Sequence, residues 1–516
     1  MKAIAAISVL VTLGASVCFA QQFRLGRLEI RGNHRTRESL IRRMIPLEEG
    51  DIFDTTRWEA GIELLNRSGL FNPVSPSDVA MNPDPFTGIV DVVLNLTERD
   101  YQRVDLNAGG GTTGGASVGF DYSNINLTGR ADNLAARIRV GTRERTFGAG
   151  YSATTLTRFP IRFDFSGLYQ RLEFVDARTA SSDNRPLFIQ SSASASLGAS
   201  FAISGPRRAL AAPTRAGVTY SFTNTRLIDS IAEPTVMTNE LVQNDLRTGS
   251  LTPFISHDTL DRSFDPTIGE RLVITTEIGA RILGGSINTI NPAVDYRRFF
   301  PLSRNSREPR VFAVRARASY ISGFGRAFQQ QALSTAGGVP IFKRFFLGGE
   351  SEVRGYDLNS IAPLARVERF LITGGNQPVL ISSDIRPVGG DAQLIFNSEY
   401  RVPLVWRFSA AAFFDAGASL NVRGLGEERF ETATRLEPGG TPATILTVLR
   451  GVDAADRLPN YRVSLGGELR FIIPVLNVPL RLIFAANPNA QRRPPDSTLI
   501  SPEKRFAFRF GFSRTL

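Results

Sequence analysis

Residue types that carry much of enzyme chemistry are nearly missing. The 516 residues hold one cysteine, Cys18, and two histidines, His34 and His257. A single cysteine forms neither an intrachain disulfide nor a thiolate metal cluster. Lysine is confined to Lys2, Lys343 and Lys504, so the net charge of +11 is carried by arginine. Those arginines stand singly in alternating segments instead of clustering. That excludes a nucleic-acid surface as the working reading and suits a solvated interior with carboxylate or lipid partners. Beyond residue 20 no run of about 18 apolar residues occurs, which excludes a transmembrane helix but not spanning by alternating strands.

Residues 1–20 read as a secretory signal, with Lys2, an apolar run from Ala3 to Val17, and small Cys18 and Ala20 before a cut ahead of Gln21. Bulky Val17 disfavours the alternative in which Cys18 is lipidated. Residues 21–99 are mixed α/β. Phe23 to Ile30 alternates as a strand and stops at Gly32-Asn33. Leu40, Ile41 and Met44 take helical spacing. Thr55 or Thr56 is placed to cap a second helix whose Trp58, Ile62 and Leu65 share a face, with Gly69 as its C-terminal cap. Strands are expected near Pro73 to Met81 and at Ile89 to Leu96.

From Tyr101 onward no helix is predicted. In 391–401, Asp391, Gln393, Asn397, Glu399 and Arg401 alternate with apolar neighbours, and 462–473 behaves likewise with Arg462, Ser464, Glu468 and Arg470. The chain ends with Phe506, Phe508, Phe510, Phe512 and Leu516 on one face of a strand. The fold class expected is a transmembrane antiparallel β-barrel over 100–516, of about 16 strands at about ten residues each, preceded by one small α/β domain.

Residues 345–356 read Phe-Phe-Leu-Gly-Gly-Glu-Ser-Glu-Val-Arg-Gly-Tyr. The run Val353-Arg354-Gly355-Tyr356 resembles the signature loop of the BamA/TamA-like outer-membrane assembly factors, and residues 21–99 resemble one POTRA domain of that family. Phe396 to Pro403, Phe413 to Gly417 and His257 to Gly269 resemble further family stretches, the last read as structural. The resemblance implies a loop near 345–362 folded back into the barrel, with Arg354 held by carboxylates of the wall. Burying a guanidinium requires such partners, and bidentate pairing favours arginine over lysine. Glu399 and Asp415 are the candidates, on strands made adjacent by the short Pro403–Trp406 link. Leu516 stands where family barrels usually end on an aromatic residue.

The implied function is assisted folding and insertion of outer-membrane β-proteins, without nucleotide, cofactor, metal or catalytic residue. The implied place is the bacterial outer membrane, with the POTRA domain in the periplasm. The implied partners are unfolded outer-membrane or exported clients, outer-membrane lipid, and periplasmic accessory subunits reached through the POTRA domain. The alternative is a two-partner-type secretion pore for one exoprotein. That relative typically has two POTRA units and a plug helix, whereas Gln21-Gln22 leads straight into a strand. The barrel is expected to close between Tyr101–Gly109 and Arg505–Leu516, a seam weakened by polar, glycine-containing Val104 to Gly109. Gly115 to Gly119 matches a nucleophile-elbow pattern, but a strand continues where a helix is needed. Gly109 to Gly115 lacks the lysine of a phosphate loop and reads as a turn.

Overall fold

The computed structural model describes residues 23–111, 115–154, 161–174, 188–203, 213–228, 246–262, 265–303, 309–325, 339–373, 377–423, 428–435, 442–452, 460–473, 478–492 and 502–511. The signal segment, Phe512 and Leu516 lie outside these. The chain divides into two compact units between Arg99 and Asp100.

The first unit has the order β1 (Arg24–Arg31), α1 (Glu38–Met44), α2 (Thr55–Ser68), β2 (Val79–Asp84) and β3 (Ile89–Asn95). The central β3 pairs in parallel with β1 and antiparallel with β2. Leu40, Ile41 and Met44 bury one face of α1 and Trp58 and Leu65 one face of α2, so the helical spacing of apolar residues is what packs both helices. The cap of α2 differs from the threonine expected. Asp54 accepts hydrogen bonds from the Thr56 and Arg57 amides, and a carboxylate there also meets the positive end of the helix. Gly69 ends the helix at φ +72°, a left-handed position suited to glycine. The strand expected from Pro73 begins later, because Pro76–Asp78 forms a 3₁₀ turn. Phe71 is fully buried in this small core. Phe71→Ala is expected to lower the unit's stability by about 3–5 kcal/mol, read as lost hydrogen-exchange protection along β3 in the intact chain.

In the second unit seventeen strand segments close into a barrel. One of them, Ser322–Gly323, is a two-residue continuation of Val311–Tyr320, since both pair with Thr289–Pro301. Among the described residues the wall therefore has sixteen staves. Alternation decides the faces. Phe396, Phe414, Leu465 and Phe508 are exposed outward, while Asn397, Asp415, Ser464 and Arg509 are buried inward.

One feature was not foreseen. Leu364–Thr373 with Val379–Pro387, and Glu428–Arg435 with Pro442–Gly451, are hairpins outside the wall. They pair through Leu364–Thr373 and Pro442–Gly451 into a four-stranded sheet of their own. Among the described residues the last strand (Phe506–Gly511) meets the first (Gln102–Gly111) at the pair Gly511 with Gly111, next to the 101–109 span read from sequence. The rest of the expected seam falls on residues outside the described ones.

Candidate functional site

Residues 345–361 fold back into the barrel before the wall resumes at Ala392. Their narrow path is fixed by isolated bridges Phe345–Gly390, Leu347–Ile361 and Gly349–Val353. Gly348, Gly349 and Gly355 adopt φ of +123°, +92° and +90°, which side-chain-bearing residues rarely take. At Gly355 a Cβ would also lie 2.5 Å from the Ala485 Cβ. Across the wall, a Cβ on Gly417 would meet the Val353 Cγ2 at 2.5 Å, so glycine there makes the seat for Val353. Val353 and Tyr356 pack with Leu347, Ile361 and Ile395 into a small buried cluster. The Tyr356 hydroxyl lies 3.0 Å from both the Val463 carbonyl and Asn489 Oδ1.

Arg354, 0% exposed, is the centre of this arrangement. Its Nε and Nη2 donate to Asp415 Oδ2 and Oδ1 at 2.7 and 2.8 Å, and its backbone amide donates to the same carboxylate at 3.1 Å. Nη1 donates to Glu399 at 2.8 Å and to Glu468 at 3.1 Å. The guanidinium carbon sits 3.8 Å from the Phe413 ring centre, adding a cation–π contact in a desolvated place. Planarity and five donors let one arginine satisfy three carboxylates at once.

The surrounding charge is nearly balanced. Glu399 also receives Arg401 and Arg470, each at 2.6 Å, and Glu468 receives Arg470 and Arg481, each at 2.6 Å. Asp415 relies on Arg354 and on a 2.9 Å bond from Asn397 Nδ2. Asn397 also donates to the Glu352 carbonyl at 2.7 Å, and Arg481 to the Glu350 carbonyl at 3.2 Å, so the wall holds the loop backbone on both sides of Ser351. Arg401 reaches onward to Asp265 at 3.0 Å, on the turn that precedes the strand Gly269–Gly279.

The sequence-derived candidates are thus brought together: Arg354 meets both Glu399 and Asp415, flanked by Val353, Gly355 and Tyr356. Glu468 and Phe413 were not singled out as partners. Inward parity on their strands was the available signal, but Glu468 belongs to a strand that follows the extra-wall hairpin. Its adjacency to Phe408–Leu420 follows only once that hairpin is known to leave the wall. Phe506, Phe508 and Phe510 point outward, 80%, 58% and 42% exposed, away from the loop.

Residues 126–514 match the Omp85 superfamily domain, and residues 23–99 match the POTRA family, described as a surface antigen variable number repeat. Among curated relatives, "Outer membrane protein assembly factor BamA" of Nitratidesulfovibrio vulgaris is 23% identical over 77% of this chain and 44% of its own length. The protein of the same name from Neisseria meningitidis is 23% identical over 70% and 43%. The chain thus spans less than half the length of these relatives. Among solved structures, BamA from Haemophilus ducreyi lacking POTRA domains 1–3 superposes with a TM-score of 0.60 at 18% identity, covering 95% of this chain and 84% of that one. CdiB from Acinetobacter baumannii superposes with a TM-score of 0.54 at 16% identity, covering 95% and 74%. An outer-membrane β-barrel following a POTRA domain, with the superfamily match over most of its length, shows that the chain belongs to the Omp85 superfamily.

Proposed function

We propose that this protein is an outer-membrane assembly factor that assists the folding and insertion of β-barrel proteins without nucleotide. The observation that carries the reading is the coexistence of a loop locked by Arg354 with a last strand that, among the described residues, meets the first strand at the pair Gly511–Gly111. If the last strand parts from the first, its edge presents backbone donors and acceptors at membrane depth, where unsatisfied groups cost several kcal/mol each. A client strand pairing there gains those hydrogen bonds, and folding of the client supplies the free energy. Lipid contributes through the outward phenylalanines of that strand, which face the bilayer. In the POTRA domain the outer edge of β2 is suited to receive an extended client or accessory segment as an added strand.

A secretion pore for one exoprotein is the second reading, favoured by the likeness to CdiB. The deciding experiment is folding of an unfolded outer-membrane barrel protein into liposomes with and without this protein reconstituted. Acceleration that is lost on deletion of residues 23–99 supports the assembly reading. No acceleration, accompanied by ion conductance, rejects it in favour of the pore.

A further inference from the structure

The outer face of the barrel carries a charged cluster at one rim, directly beside an apolar groove. Strands run alternately up and down the wall, so Thr214, His257, Glu270 and Arg298 gather at the rim from which the first strand, Gln102–Gly111, sets out. Register places them side by side: Thr214 pairs with His257, His257 with Leu272, Leu272 with Tyr296, and Glu270 with Arg298. His257, Glu270 and Arg298 share the outward parity of Ile255, Ile274 and Val294, all exposed. The Tyr296 hydroxyl donates to Glu270 Oε2 at 2.9 Å, and Arg298 Nη1 lies 3.5 Å from the same oxygen. Thr214 Oγ1 holds His257 Nδ1 at 2.8 Å. Glu270 Oε1 and His257 Nε2 face one another across 3.9 Å, beyond hydrogen-bond reach. The Arg298 guanidinium carbon lies 4.9 Å from the Phe300 ring centre, so its head stays at the surface over an aromatic support.

Just inside this rim a groove of about 610 Å³ opens on the outer face. Ala216 lies between Phe201 and Ile255 in register and is too small to fill the row. Pro253 has no N–H to give, and the ladder to the next strand is interrupted there, resuming where Phe254 meets Thr275. Ala199 and Ile274 complete the lining.

We infer that groove and cluster together bind one phospholipid whose zwitterionic headgroup carries a primary ammonium, the phosphatidylethanolamine class. An acyl chain fills the groove and covers its apolar lining. With Nδ1 accepting from the Thr214 hydroxyl, His257 Nε2 carries the proton and donates to the phosphodiester, beside Arg298. The ammonium donates to Glu270. A cluster of one sign would suit any anionic lipid, whereas guanidinium, imidazole and carboxylate side by side suit a head with both charges. A purely anionic head would meet Glu270 without supplying a cation, and a trimethylated head has no N–H to donate. The inference holds for an assembly factor and for a pore alike, and its test needs no insertion assay.

That test is native mass spectrometry of the detergent-purified protein, with dioleoyl phosphatidylethanolamine, phosphatidylcholine or phosphatidylglycerol added singly at equal concentration. Wild type is expected to retain one phosphatidylethanolamine about tenfold more strongly than either other lipid, the worth of one charge-assisted hydrogen bond. Glu270→Gln should erase the preference over phosphatidylcholine, and Arg298→Gln should lower retention of phosphatidylethanolamine about tenfold. Ala216→Leu fills the groove with the charges in place and should lower retention as well, which keeps the test open if a charge variant does not fold. Leu394→Ala, outward on another part of the wall, should change nothing. Equal retention of the three lipids, stronger retention of phosphatidylglycerol, or a preference that survives both Glu270→Gln and Ala216→Leu overturns the proposal.

Discussion

Arg354→Ala is expected to abolish assisted insertion while the barrel itself still forms. The wall is built from paired strands that do not need the loop, so closure survives. What is lost is the docked loop. Glu399 keeps Arg401 and Arg470, and Glu468 keeps Arg470 and Arg481. Asp415 is left with Asn397 and the amide of residue 354, a buried carboxylate without a cation. Breaking a buried pair from one side costs about 3–5 kcal/mol, and 3 kcal/mol already moves a docked-to-released ratio by about two powers of ten.

The charge logic gives this prediction a second arm. Arg354→Ala with Asp415→Asn removes the stranded carboxylate, so thermal stability should recover most of the loss. Insertion should not recover, because nothing then holds the loop. Arg354→Lys should also fail, since a single ammonium cannot meet Asp415 in bidentate fashion and reach Glu399 and Glu468 together. Stability is read by the temperature at which the folded band is lost on a gel, and function by insertion into liposomes. Full insertion by Arg354→Ala, or rescue by lysine, would remove the anchoring idea.

Much of this site is legible in sequence because its signals are local. A run of glycines around Arg354 marks a tight return, and period-two alternation gives Glu399 and Asp415 their inward parity. Their strands are joined by four residues, so their adjacency follows from the chain. What was hidden depends on register between distant segments. Whether Glu468 touches Arg354 depends on Glu428–Arg435 and Pro442–Gly451 leaving the wall, and alternation looks the same in a wall strand and in a hairpin beyond it. Arg509 pairs with Asp357 from segments that share no short connection, so no spacing rule links them. In the first unit, Asp54 and Thr55 are both good caps, and only the backbone position of the first turn chooses between them.

The second large effect is expected at the seam. Gly111 and Gly511 are directly paired, and opposed residues in antiparallel strands lie about 4.5–5.5 Å apart at Cα, within the span a disulfide bridges. With Cys18→Ser, the Gly111→Cys/Gly511→Cys variant contains no other thiol, so oxidation can form only this bond. If the seam must part for a client strand to pair, the oxidised protein should lose nearly all insertion activity and regain it on reduction, with each single variant active throughout. The reduced double variant controls for the loss of two glycines, and the loop locked by Arg354 is untouched by the bond. Retained activity in the fully oxidised protein would mean that clients do not enter between these strands. It would also separate the two halves of the proposed mechanism: loop docking would then act on the client through the lumen, the route the secretion-pore reading requires.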